Sequence, residues 1–194
     1  MSTIQANGLT RRFGDVVAVD SLTFRVDPGE VVGLLGANGA GKTTTMKMLL
    51  GLLSPTAGEA RIDGTLIRDL DRRVIGYVPQ GLGLYRDLTV RENLEFAAAA
   101  FGVRAPSLEA SGLGSVSGRR VGALSLGLRR RVAFVVARCH EPDVLILDEP
   151  TSGVGPLGRA RLWETIHETA EAGAAILVST HYMDEAEECD RVVL

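Results

Sequence analysis

Sulfur, aromatic rings and long apolar runs are all scarce in this chain of 194 residues. Its two cysteines, Cys139 and Cys189, fit neither a disulfide framework nor a zinc-binding spacing, so reduced thiols of a cytosolic protein are expected. No apolar stretch approaches the ~18–20 residues that span a bilayer. The run from Phe96 to Val103 is far too short, and any membrane role must come through a partner. The start, Met1 to Asn7, lacks the basic residues and apolar core of a secretory signal, so none is expected. Positive charge is not in excess either: 21 Lys and Arg stand against 24 Asp and Glu, a balance that disfavours nucleic acid as a partner.

Apolar residues, by contrast, make up 45% of the chain, enough to build the core of one domain with at most a small appended lobe. The sequence is organised around one stretch. The apolar run Val31 to Leu35 enters Gly36-Ala37-Asn38-Gly39-Ala40-Gly41-Lys42-Thr43 and leaves through Thr44 into the helix-prone segment ending at Leu50. This is the strand, G-x-x-x-x-G-K-[ST] loop and helix of a phosphate-binding P-loop. Gly36, Gly39 and Gly41 are expected to take φ > 0 and bring backbone N–H groups close to an anion, and the helix start adds further donors and a positive dipole end. Lys42 would reach the β- and γ-phosphates and the Thr43 hydroxyl would ligate Mg²⁺. A chance glycine-rich turn is the plain alternative, and the complete match between an apolar strand and a helix argues against it.

Taken in order, the residues from Ile4 to Val26 fall into short β-like runs (4–9, 16–19, 22–26) that read as an antiparallel β-region leading into the P-loop strand. Phe13, beside Gly14, is either a core or edge residue or a ring that stacks on a base. A hairpin is expected around Asp63-Gly64, and a strand from Arg73 to Pro79 ends at Gln80. If that strand lies beside the P-loop strand, the Gln80 amide falls where it can ligate Mg²⁺ or orient water; otherwise it is a polar terminus. Thr89-Val90-Arg91-Glu92 has the spacing of a capping box and opens a helix to Phe101. Residues 104–123 read as a loop with at most one short helix, and Ser125 as the cap of a helix from about Leu128 to His140. The basic first turn of that helix, Arg129-Arg130-Arg131, opposes the helix dipole and hints at contact with an anion.

The second strong signal is Val144-Leu145-Ile146-Leu147-Asp148-Glu149. It reads as a buried parallel strand with two carboxylates at its C-terminal end. Asp148 suits the carboxylate that holds Mg²⁺ through water, on a strand neighbouring the P-loop, and Glu149 suits the general base that polarises the attacking water. After an amphipathic helix from Leu157 to Ala172, a strand from Ala174 to Ser179 is the next βαβ return. It can deliver His181 to the same sheet edge, although a histidine at a strand end is often structural. The residues 190–194 read as part of a strand.

Together, Gly36 to Thr43, Gln80, Leu124-Ser125-Leu126-Gly127-Leu128, Leu147 to Gly153 and Ser179 to Glu187 resemble, in order and spacing, the nucleotide-binding subunit of ATP-binding cassette transporters. The resemblance covers nearly the whole chain. It implies an α/β P-loop NTPase fold, with a mainly parallel core sheet flanked by helices, an antiparallel β-region and a shortened helical subdomain. The core would span 1–82 and 138–194 and the reduced helical and signature region 83–137. The Thr180 to Glu187 run and the arginines after Leu128 look like the branch that exports drugs or antibiotics through a separate permease.

Carried over residue by residue, the resemblance makes Lys42, Thr43 and Thr44 ligands of phosphate and Mg²⁺, with Gly36, Asn38, Gly39, Ala40 and Gly41 forming the cradle. It makes Gln80 the residue that senses Mg²⁺ and touches the permease, Asp148 the Walker B carboxylate, Glu149 the base, His181 the switch histidine on the γ-phosphate and Phe13 the adenine stacker. Ser125 and Gly127 would close over the ATP of a second cassette, in a head-to-tail pair at the cytoplasmic face of a membrane permease. The chain departs from the family pattern in four places: Leu126 replaces a signature glycine and is expected to crowd the partner's γ-phosphate, Gly155 replaces the D-loop aspartate, residues 104–123 lack about one helix of four turns, and the carboxyl end lacks the last family elements. The parts acting on the chain's own ATP are intact. The altered parts act across the pair, which favours a heterodimer over a homodimer. A degenerate regulatory cassette and a soluble cassette ATPase are the alternatives.

Overall fold

A computed structural model describes residues 3–193. Strands β1 (Ile4–Phe13) and β2 (Val16–Val26) pair antiparallel across Gly14, whose φ of +58° turns the chain between Phe13 and Val16. The runs 16–19 and 22–26 are one strand rather than two. Ser21 takes a positive φ of 47°, its N–H donates to Thr10 Oγ1 at 2.9 Å, and the ladder absorbs the irregularity as a bulge. After β3 (Val31–Leu35) and α1 (Lys42–Leu49), β4 (Ala57–Ile62) joins β1 and turns into β5 (Thr65–Leu66). The turn is the expected Asp63-Gly64 pair, with φ of 50° and 74°, the two positive values that a tight hairpin turn requires.

The remaining elements are β6 (Ile75–Val78), α2 (Val90–Phe101), α3 (Leu126–Ala137), β7 (Val144–Asp148), α4 (Pro156–Glu171), β8 (Ala175–Thr180) and β9 (Arg191–Val193). The second sheet runs β6-β7-β8-β3-β9, with every described neighbour parallel. Both faces are covered, which is why its central strands are apolar without interruption. Successive residues serve opposite layers: Val144 and Ile146 pack with Met46, Met48 and Leu49 of α1 and with the antiparallel sheet. Leu145 and Leu147 pack with Phe134 of α3 and Leu162, Trp163 and Ile166 of α4. Each such aliphatic side chain, fully buried, contributes about 1.5–3 kcal/mol.

Helix α2 opens on the capping box its sequence announces: Glu92 N–H donates to Thr89 Oγ1 at 3.2 Å and Thr89 N–H to Glu92 Oε2 at 2.7 Å. It shares a third apolar cluster with Val132 of α3 and with Leu108, Leu113, Val121 and Leu124. The segment 104–123 holds two single 3₁₀ turns, at 114–116 and 121–123, so buried leucines rather than helix pin it down. Helix α3 starts at Leu126, two residues before the position expected from sequence, because Ser125 accepts from Leu128 N–H. The three arginines therefore stand in its second turn, away from the dipole end.

Candidate active site

The P-loop leaves β3 at Leu35, opposite Thr180 of β8, and Gly36 N–H donates to Thr180 C=O at 3.3 Å. Gly39 and Gly41 have φ of 88° and 92°, as expected. Gly36 does not; the correction is that glycine is needed there for room, since a Cβ would stand 2.9 Å from that of Ala40. Gly41 combines both demands, because its Cβ would lie 2.2 Å from the carbonyl oxygen of Ala18. It is also the N-cap of α1, so no side chain caps the helix, and the first turn carries no acidic residue of its own. The first N–H groups of α1 thus form an uncapped donor cluster with Lys42 as the first helical residue, an arrangement that calls for an anion.

Lys42 is buried, and its Nζ donates to the carbonyls of Gly36 at 2.6 Å and Ala37 at 3.1 Å. Thr43 Oγ1 donates to Asp148 Oδ2 at 3.0 Å. The strand bearing Asp148 does not neighbour β3, contrary to expectation: β8 lies between them, and the strand before Gln80 is farther still, at the sheet edge. The residues meet nonetheless, because the C-terminal ends of parallel strands share one edge. Ser179, on the intervening β8, donates to Asp148 Oδ1 at 2.6 Å and accepts from Glu149 N–H at 3.0 Å, locking the carboxylate pair.

Glu149 is the point of convergence. It follows β7 with a positive φ of 49° and is buried, with three groups around its carboxylate. Gln80 Nε2 donates to Oε2 at 3.2 Å, while Oε1 stands 3.7 Å from Lys42 Nζ and 3.4 Å from His181 Nδ1. Glu149 and Gln80 line a cavity of about 300 Å³ with Asn38, Gly39, Gly41, Lys42, Thr43 and Thr44. A larger hollow of about 420 Å³ between the end of α1 and β4 lacks such a convergence of charged and polar groups.

Gly36, Ala40, Asp148 and His181 do not line this cavity themselves but adjoin residues that do, whereas Phe13, Ser125 and Gly127 lie apart from it. Phe13 is not a core residue: its ring is 49% exposed at the β1–β2 turn, with the Arg11 guanidinium 4.6 Å from its centroid. Ser125 and Gly127 sit at the start of α3, where Gly127 faces Val154 rather than the P-loop of its own chain. The isobutyl group of Leu126 has Cδ2 only 2.8 Å from where a Cβ on Gly153 would stand. Gly155 is the N-cap of α4 and offers no side-chain oxygen to it.

Sequence reasoning missed several supporting groups. The arginines of α3 bind main-chain carbonyls: Arg129 that of Leu124 at 3.0 Å, Arg130 that of Ser152 at 3.0 Å and Arg131 that of Ser111 at 3.2 Å. Arg130 is buried, which pushes its pKa down, while the charges of Glu149 and Asp148 oppose that shift. Ser179 carried no signal beyond its place at a strand end. Cys189, in contrast, does not line this cavity, and burial first, and then the carboxylates around it, push its thiol up to about 12.

The family model described as ABC transporter matches residues 19–152. The chain is 44% identical over 204 aligned positions to the Escherichia coli (strain K12) protein named probable multidrug ABC transporter ATP-binding protein YbhF, covering 100% of this chain and 35% of that one. It is 43% identical over 204 positions to the Nod factor export ATP-binding protein I of Burkholderia lata, covering 99% of this chain and 67% of the relative. The chain thus spans about a third of the length of the first of these relatives. Among solved structures it is similar to an ATP binding subunit of an ABC transporter, with a TM-score of 0.86, 35% identity and coverage of 98% and 84%. It is also similar to cbiO1 of Clostridium perfringens, described as part of the ABC transporter complex cbiONQ, with a TM-score of 0.84, 27% identity and coverage of 98% and 86%.

Proposed function

We propose, for a chain that belongs to the ABC transporter family, that it binds Mg-ATP at the P-loop and hydrolyses it to power a separate membrane permease. The observation that carries this reading is the meeting of Lys42, Gln80 and His181 around the Glu149 carboxylate at the wall of the P-loop cavity. Lys42, parked on the carbonyls of its own loop, exchanges them for the β- and γ-phosphate oxygens when ATP enters. Glu149 accepts a proton from the water that attacks the γ-phosphorus. The bond to the β–γ bridging oxygen breaks, and the electron pair leaves with ADP. His181, held beside Glu149, is placed to hydrogen-bond the transferred phosphoryl group.

The donors near the phosphate cradle fit Mg²⁺, which prefers hard oxygen ligands and keeps several waters and substrate oxygens in its shell. Thr43 Oγ1, the Gln80 amide oxygen and, through water, Asp148 would hold it. When bound, Mg²⁺ supplies neutralisation of charge on the β- and γ-oxygens.

The wider assignment follows the same reading. The chain acts at the cytoplasmic face of the membrane, docked on a permease that exports a drug-like or hydrophobic substrate. The names of the relatives support export, and no helix of the described residues is long and apolar enough to cross a membrane. Phe13, exposed at its turn, stacks on adenine. Ser125 and Gly127, off their own cavity, serve the ATP of a second cassette, and Leu126 and Gly155 favour a different chain as that partner.

The test is phosphate release by the purified chain, with nucleotide binding followed in parallel. Turnover that needs Mg²⁺ and stops with excess EDTA is expected; binding without any release, alone or with a partner cassette, would overturn the hydrolytic reading. Restoring Leu126→Gly and Gly155→Asp together is expected to raise turnover of the chain by itself severalfold. Because the carboxylate introduced by Gly155→Asp would also cap α4, for a gain of about a few tenths of a kcal/mol over glycine, that single variant serves as the control. A double variant no faster than the control would count against the interface explanation.

A further inference from the structure

We propose that Glu185 is a positioning residue that holds the catalytic base and the switch histidine in register; this rests on the hydrolytic reading of the site. Glu185 lies outside the nucleotide cavity, in a short 3₁₀ segment after β8, yet it is a carboxylate only 1% exposed. Its two oxygens accept from two hydroxyls on two different segments. One comes from Thr151, two residues after Glu149, and the other from Thr180 at 2.6 Å, one residue before His181. Both threonines are buried, so no water competes for these bonds.

Each hydroxyl belongs to the turn that carries a functional side chain. Ser152 N–H donates to Glu149 C=O at 3.2 Å, closing the turn through Thr151. Tyr182 N–H donates to Thr180 Oγ1 at 3.0 Å, closing a turn with His181 at its apex. Glu185 therefore ties together the two turns whose other side chains, His181 and Glu149, approach to 3.4 Å. Arg159 supplies the counter-charge. Its Nε stands 3.6 Å from Glu185, and its guanidinium also binds Asp184 at 2.9 Å and lies 4.8 Å from the Tyr182 ring centroid. A mere space-filler at this position would be apolar, because a buried carboxylate must recover its lost hydration through its partners.

The experiment compares the intact chain with Glu185→Ala, Glu185→Gln and Thr180→Val by two readouts. In steady-state turnover, Glu185→Ala is expected to lower kcat about 10- to 100-fold, the scale set by a misplacement of about 1 Å, with nucleotide Kd unchanged within about threefold. Thr180→Val in the Glu185→Ala background should add little, since the two act as one unit. By NMR, the chain's three histidines allow the His181 ring signal to be assigned by deletion. That signal is expected to move or broaden in Glu185→Ala, while that of His140, stacked on Phe101 with its ring nitrogen on Ile75 C=O, stays in place. Glu185→Gln keeps the length and one acceptor and should recover part of the loss, and it carries the test if the alanine variant does not fold. An unmoved His181 signal, or a kcat loss matched by nucleotide affinity, would overturn the proposal. Because the NMR readout does not need turnover, a wild-type chain inactive both alone and with a partner cassette would sink the hydrolytic reading while the clamp itself is still decided.

Discussion

Replacing Glu149 by glutamine is expected to slow ATP hydrolysis by at least ~100-fold, the lower range for loss of a general base, or about 2.7 kcal/mol of transition-state stabilisation. Nucleotide binding should be unchanged within about threefold. The substitution conserves shape, and both residues bear the same strain at the positive φ of 49°, so the backbone of the turn is not the variable. What changes is the ability to take a proton and the negative charge beside Lys42, now 3.7 Å from Oε1. A neutral amide leaves Lys42 less attracted to the wall of the site and more available to phosphate, so affinity has no reason to fall. Single-turnover phosphate release with equilibrium binding on the same sample checks this. A variant that still turns over at the wild-type rate would remove Glu149 from its role, and a parallel loss of binding would mean that its charge is needed to build the cavity.

The largest effect on stability is expected at Gly41. Alanine there must hold a φ of 92° and place its Cβ 2.2 Å from the Ala18 carbonyl oxygen, a contact that only a shift of β2 or of the loop relieves. The backbone term alone costs about 1–2 kcal/mol. With the collision added, a loss of at least ~3 kcal/mol is expected, or a fall in Tm of roughly 6–12 °C for a chain of this size. Gly39→Ala is the matched control: its φ of 88° is equally demanding, but nothing lies within 4 Å of its Cβ, so only the backbone cost should appear. Thermal unfolding of the two variants side by side separates the terms. Equal losses would show that the approach to Ala18 contributes nothing.

Where the controlling interactions were local, the sequence was legible. The P-loop, the Asp63-Gly64 turn and the Thr89–Glu92 capping box each lie within a few consecutive residues, so their chemistry is written in their spacing. The uninterrupted apolar runs of β7 and β8 announced strands buried on both faces. Other features were not legible, for identifiable reasons. Gly36 looked like a conformational glycine because its neighbours are, but the demand on it comes from the Cβ of Ala40. The carbonyl partners of the α3 arginines, such as Ser111 and Ser152, left no mark because they are distant in sequence. Leu126 was read by its position in a motif, and its contact with Gly153 depends on how α3 lies against the loop after β7.

The sequence by itself determined which groups share a turn: the donors around Lys42, the Asp148-Glu149 pair and the Thr180-His181 step. The tertiary structure alone decided that β8 would lie between β3 and β7, since parallel strands joined by long crossovers carry no local mark of their neighbours. That order inserts Ser179 beneath Asp148 and brings Gln80, Lys42 and His181 from three separate segments to one carboxylate. The physical reason is the parallel sheet itself, which aligns the C-terminal ends of its strands at a single edge and so converts residues far apart in sequence into one site.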